Sequence, residues 1–124
     1  MASILIIDDD ENFRVALERM LVAAGHVVTT ATDGLEGAVR YRANPTDIVL
    51  LDMVMPHSGL MTLRVLRSQY PGIRIIAMTG GAPFRLGFAR NIGVPHTLVK
   101  PFTSEQLADV IAVTLAGNVI SPES

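Results

Sequence analysis

The chain has no cysteine, which excludes disulfides, thiolate nucleophiles and thiolate-bound zinc, and suits a reducing compartment. Charge is sparse: 18% of residues are charged, with 10 basic against 12 acidic side chains, a net charge of −2 and a pI near 5.8. That balance offers no basic footprint for nucleic acid, so direct nucleic-acid binding is not expected. Long apolar runs are missing as well. Ile4–Ile7 and Ile48–Leu51 stop after four residues, against the roughly 20 a membrane helix needs. No basic stretch precedes the first apolar run, and Asp8, Asp9 and Asp10 follow it directly, which is unlike a signal peptide. A soluble, cytoplasmic protein without a membrane segment is the expectation. There is no internal repeat, and His26, His57 and His96 show no zinc-ligand spacing; His26, just after a glycine placed to end a helix, is expected at the surface.

What is present suits one compact core. The 124 residues are 49% apolar with a mean hydropathy of +0.40, enough for one domain and too few for two. Ile4–Ile7, Val27–Ala31, Ile48–Leu51, Ile73–Met78 and Thr97–Val99 are rich in β-branched residues, bounded by Asp, Gly or Pro, and read as strands. Several are apolar throughout, as parallel strands covered on both faces require.

Amphipathic stretches lie between them. Asp10 is placed to cap a helix from Glu11 that turns Phe13, Leu17, Met20 and Leu21 inward and closes at Gly25. Asp33 and Glu36 have capping-box spacing for a second helix, which ends before Pro45. A third covers Leu60–Gln69 and a fourth Pro83–Ile92. The fifth opens on Thr103-x-x-Gln106, buries Leu107, Val110, Ile111, Thr114 and Leu115, and is expected to end near Ala116. Residues 1–116 form the expected domain, and 117–124 a C-terminal tail or the start of a linker.

Five strands alternating with five helices define an α/β fold, a doubly wound five-stranded parallel sheet. Ligands of such sheets bind beyond the carboxyl ends of the strands. Those ends carry Asp8-Asp9-Asp10, Asp52, Thr79-Gly80-Gly81 and Lys100-Pro101. Asp8, Asp9 and Asp52 held together repel one another, and a hard divalent cation relieves that repulsion with oxygen ligands. Lys100 and Thr79 suit phosphate oxygens, and a carboxylate in such a site can attack phosphorus to give an acyl phosphate. A solvated turn before a helix accounts for Asp8 and Asp9 taken alone. It does not account for their convergence with Asp52, Thr79 and Lys100.

The segments Ile4–Asp10, Leu50–Pro56, Met78–Gly80 and Leu98–Phe102 resemble, in order and spacing, the receiver domain of two-component response regulators. The resemblance implies the flavodoxin-like strand order 2-1-3-4-5. It implies that Asp52 accepts a phosphoryl group from a sensor histidine kinase or histidine phosphotransfer protein. Magnesium or manganese would be held by Asp8, Asp9, the Asp52 carboxylate and the Val54 carbonyl, with Asp9 the more direct ligand of the acidic pair. Thr79 would donate to a phosphoryl oxygen and Lys100 would pair with it, its bond to Pro101 being cis. Gly80 would leave room for the phosphate. The output would be a changed grip on a downstream protein or on an output domain outside this chain, including a phosphorylation-linked homodimer. No enzymatic turnover of free substrate is implied beyond self-catalysed phosphoryl acceptance and loss.

The sequence departs from that pattern in three places. Thr97 stands where the family carries an aromatic switch residue. The loop Met55–Gly59 is short and lacks an acid before its glycine, and Gly80-Gly81-Ala82-Pro83 is an unusual approach to the fourth helix. Val54 and Gly81 offer no polar side chain to an attacking water, which predicts slow self-dephosphorylation. Two other readings compete. A phosphorylation-independent scaffold of the same fold is compatible with Thr97. An aspartate-nucleophile phosphatase shares the acid spacing of Asp8 and Asp10, though not the threonine expected after them.

Overall fold

The computed structural model describes residues 1–53, 59–80 and 96–120. Ordered along the chain are β1 (Ser3–Ile7), α1 (Glu11–Ala23), β2 (Val27–Ala31), α2 (Gly34–Ala43), β3 (Ile48–Asp52), α3 (Gly59–Gln69), β4 (Ile75–Thr79), β5 (His96–Val99) and α4 (Ser104–Ile120). All strands pair in parallel, in the order β2-β1-β3-β4-β5. The expected strand order and doubly wound architecture are therefore present. The expected fourth helix, at Pro83–Ile92, lies outside the described residues.

Alternation along each strand divides the core into two layers. Leu5, Ile7, Val49, Leu51, Ile75 and Ala77 face α2 and α3, where Tyr41, Leu63 and Leu66 close the layer. Ile4, Ile6, Ile48, Leu50, Ile76 and Met78 face α1 and α4, against Leu17, Leu21, Leu107 and Ile111. Each fully buried Ile or Leu side chain contributes about 1.5–3 kcal/mol on leaving water, so these layers are the main attractive force in the fold.

Local chemistry sets the helix ends. The Asp10 side chain accepts from Phe13 N–H at 3.2 Å and starts α1. Gly25, at φ +94°, ends that helix in the left-handed conformation glycine adopts freely. Thr103 and Gln106 form a reciprocal capping box at α4, with bonds of 2.9 and 3.0 Å. At α2 the box is shifted by one residue: Asp33 accepts from Glu36 N–H at 2.8 Å, while Glu36 reaches back to Thr32 N–H at 2.7 Å.

Three local expectations need correction. α4 continues through Gly117 to Ile120, past the predicted end at Ala116. A Cβ at Gly117 would stand 3.2 Å from His96 Nε2, so this glycine lets the helix pack closely on β5. β4 begins at Ile75, because Ile73 N–H closes a turn onto the Tyr70 carbonyl at 2.9 Å. His26, expected at the surface, is half-buried and its Nδ1 accepts from Ala2 N–H at 3.1 Å. Among the described residues, no helix is long and apolar enough to cross a membrane.

Candidate functional site

The register of the sheet assembles the site. Ile7 pairs with Leu51, Asp52 with Met78, and Thr79 with Val99. The next residues after Ile7 and Val99 are Asp8 and Lys100, so Asp8 and Asp52 emerge level, with Thr79 one step further along and Lys100 one step beyond it, all at the carboxyl edge of the sheet. Backbone bonds from Asp8 N–H to Ala31 O at 3.1 Å and from Lys100 N–H to Thr79 O at 2.7 Å carry the pairing through these positions. A one-residue slip in any strand would turn its functional side chain to the wrong face.

Asp8 is fully buried and Asp52 only 4% exposed, whereas Asp9 is exposed. Carboxylate oxygens of the three lie within 4.8 Å of one another. Lys100 Nζ stands between the buried pair, 2.8 Å from Asp8 Oδ2 and 3.6 Å from Asp52 Oδ2, with its side chain 17% exposed. The other Asp8 oxygen accepts from Asp10 N–H at 2.9 Å. Both Asp8 oxygens thus already have protein donors, and the exposed Asp9 is the acid of the pair that faces outward.

Thr79 Oγ1 is buried and has no hydrogen-bond partner among the described residues. A buried hydroxyl without a partner is costly, and an incoming oxyanion beside Asp52 would satisfy it. Three clustered carboxylates, one of them outward-facing, also suit a hard divalent cation with oxygen ligands. The donor set therefore fits the ion that the sequence implies, and the orphaned hydroxyl fits the phosphoryl group. Val54, whose carbonyl was the fourth expected ligand, lies outside the described residues, as do His57 and Gly81. Lys100-Pro101 is cis, as the resemblance implied. Gly80 is exposed, and a Cβ there would meet nothing within 4 Å, so space for phosphate does not depend on that glycine in this arrangement.

Two contacts of the site were not legible in the sequence. The Phe13 ring lies under Lys100, with Nζ 4.0 Å from its centroid. Arg14 donates to the Asp8 carbonyl at 2.9 Å. Phe13 reads from periodicity as an ordinary core position, and no local pattern reports which strand end lies above it. Helix α3 also abuts the site. A Cβ at Gly59 would fall on the Asp52 carbonyl oxygen and stand 2.7 Å from Met53 Cα.

Among the described residues, concavities also lie away from this site. One of about 490 Å³ runs between α2 and α3, lined by Leu35, Ala38, Met61 and Val65; its acid, Asp33, is occupied in capping α2. Another, about 230 Å³, lies beside Thr97 and His96, with Asp109, Val110 and Val113 opposite. The position of the missing aromatic thus borders open space. Burial holds the His96 imidazole below the usual histidine value.

Comparison with known proteins agrees with the fold. A family model described as the response regulator receiver domain matches residues 4–112, and the chain belongs to that family. The response regulator FleR of Pseudomonas aeruginosa is 33% identical over 98% of this chain, which covers 26% of that protein. The sensor kinase CckA of Brucella abortus is 34% identical over 89% of the chain and 12% of its own length. The probable C4-dicarboxylate response regulator DctR of Halalkalibacterium halodurans is 36% identical over 84% and 47%. This chain thus spans less than half the length of these relatives. Among solved structures, a receiver domain from Clostridium thermocellum superposes with a TM-score of 0.88 at 29% identity, covering 97% of this chain and 98% of that one. Chemotaxis protein CheY4 of Vibrio cholerae gives 0.84 at 30% identity, over 93% and 99%.

The chain is therefore a receiver domain of two-component signal transduction. Phosphorylation on an aspartate is the general function of this family, whose acidic pocket binds magnesium.

Proposed function

We propose that Asp52 is the phosphoryl acceptor of this receiver. The observation that carries the assignment is the convergence of a buried Asp52 with Lys100 at 3.6 Å and the Thr79 hydroxyl on the adjacent strand, which has no partner among the described residues. An Asp52 carboxylate oxygen attacks phosphorus on a phosphohistidine of a sensor kinase or phosphotransfer protein. The P–O bond of the acyl phosphate forms as the P–N bond breaks, and the imidazole leaves with a proton. Thr79 donates its hydroxyl hydrogen to a phosphoryl oxygen and Lys100 supplies the balancing positive charge. Asp8, Asp9, Asp52 and the Val54 carbonyl would hold magnesium or manganese, which would supply electrostatic stabilisation of the phosphoryl oxygens.

Residues 1–116 are the receiver unit in this reading, and α4 carries its last turn on toward whatever follows. The chemistry is confined to self-phosphorylation and self-dephosphorylation, without turnover of a free substrate. The phosphorylated form changes its hold on a downstream protein, on an output domain or on a second receiver. With Thr97 replacing an aromatic, the concavity beside it is the place where inward movement of Thr79 would be felt.

Intact mass after incubation with acetyl phosphate, with and without magnesium, tests the assignment. A magnesium-dependent gain of one phosphoryl group, lost in Asp52→Asn, is expected. Failure of acetyl phosphate and phosphoramidate with folded, magnesium-binding protein would favour the phosphorylation-independent scaffold.

A further inference from the structure

Lys100 has a conflict built into its position. Its ammonium is bonded to Asp8 Oδ2 at 2.8 Å, yet the function proposed above requires it to serve a phosphoryl group on Asp52. Asp8 belongs to the acidic cluster that suits a cation, so that carboxylate is also in demand. On leaving Asp8, a lysine on a flexible four-carbon stem has water within reach, since its side chain is already 17% exposed. Something other than the carboxylate must keep it in place.

The Phe13 ring meets that requirement. Its face lies under Nζ at 4.0 Å to the centroid, well inside the range of a cation–π attraction. The ring accepts no proton and carries no net charge, so the contact persists when the ammonium exchanges one oxygen partner for another. The ring is itself fixed. Phe13 sits in the first turn of α1, its N–H bonded to the capping Asp10. It packs edge-to-face on Phe102 at 5.7 Å and 88°, just beyond the cis bond that follows Lys100. The pair thus ties the start of α1 to the chain leaving β5.

We propose that Phe13 is a positioning residue: it holds the Lys100 ammonium over its ring while Lys100 exchanges Asp8 for the phosphoryl group on Asp52. The inference rests on the assignment of Asp52 and Lys100 made above. It makes the electron density of the ring, not its bulk, the property that matters. Leucine would fill the same place in the core but would offer no π face.

The test uses the full chain with Phe13→Leu and with Phe13 replaced by mono-, di- and trifluorinated phenylalanine, which keep the ring's shape while withdrawing its electrons. In metal-free protein, the Lys100 ε-methylene protons are expected to be shifted upfield by the ring current, and Phe13→Leu is expected to remove that shift. Asp52 phosphorylation by acetyl phosphate in magnesium is expected to slow stepwise with each fluorine, about tenfold across the series, at unchanged thermal midpoint. A flat series overturns the proposal. So does an unshifted ε-methylene signal, or a loss of rate confined to Phe13→Leu, which would mark packing alone. Unmodified protein that accepts no phosphoryl group from either small donor would instead refute the Asp52 assignment, an outcome read before any variant is compared.

Discussion

Lys100 Nζ and Asp8 Oδ2 lie 2.8 Å apart although 92 positions separate them in the chain. Asp8 is fully buried, and Asp52 nearly so. Among the described residues Lys100 is therefore the nearest counter-charge to two carboxylates that have little access to water, and it occupies the space between groups that suit a divalent cation. The side chain that balances the charge of the resting site is the one that the proposed function would employ in the phosphorylated site.

Removing that counter-charge should expose the balance. Lys100→Met is expected to lower unfolding free energy by about 3 kcal/mol in chelator. Magnesium should restore most of the loss and bind the variant more tightly than the parent. Urea unfolding with and without magnesium measures both effects. An unchanged midpoint in chelator would mean that Lys100 does not neutralise the acids.

Thr79→Val separates stability from function. The hydroxyl is buried without a partner among the described residues, so its replacement by a methyl group should leave stability unchanged or raise it by about 1 kcal/mol. Phosphoryl acceptance should fall by tenfold or more, because a donor aimed at the oxyanion is gone. A destabilised variant with normal acceptance would contradict the role given to this side chain.

Gly59→Ala probes the seat of α3. The added methyl group would meet the Asp52 carbonyl and Met53 Cα, both backbone atoms with little freedom to move. A loss of about 2 kcal/mol is expected from such overpacking, with slower acceptance at Asp52. Gly72→Ala, where a Cβ meets nothing within 4 Å, is the control and should match the parent in both measurements.

Two pH limbs follow from two shifted groups. Burial lowers the His96 value from 6.5. Its contribution to stability is complete above 6.5 and declines as pH falls toward the folded value, because the unfolded chain takes up the proton first. Glu36 is lowered from 4.5, first by the Thr32 N–H bond, then by the Thr32 hydroxyl and Arg40. Its contribution is present above 4.5 and disappears as pH drops through the folded value. Stability measured from pH 7.5 to 3 should show a shallower upper limb in His96→Gln and a shallower lower one in Glu36→Gln; an unchanged slope in either variant would refute that group's contribution.

Much of this receiver was legible without a structure. Val27–Ala31 matches its strand at both ends, and the caps at Asp10, Asp33 and Thr103 each hold their helix as their spacing indicates. The acids, Thr79 and Lys100 could be placed together because parallel strands present their carboxyl ends on one edge. Those inferences depend on chemistry within a few residues or on a general rule of the fold.

Other features were decided only by packing. Glu36 bonds Thr32 instead of completing the box at Asp33, and Gly117 continues a helix because His96 lies against it. Sequence alone determined the candidate residues and the edge of the sheet they share. Tertiary structure decided that Lys100 stands between Asp8 and Asp52, over the face of Phe13. Those contacts depend on strand register and on the rotation of α1 about its axis, which are set by the whole core and by no local run of residues.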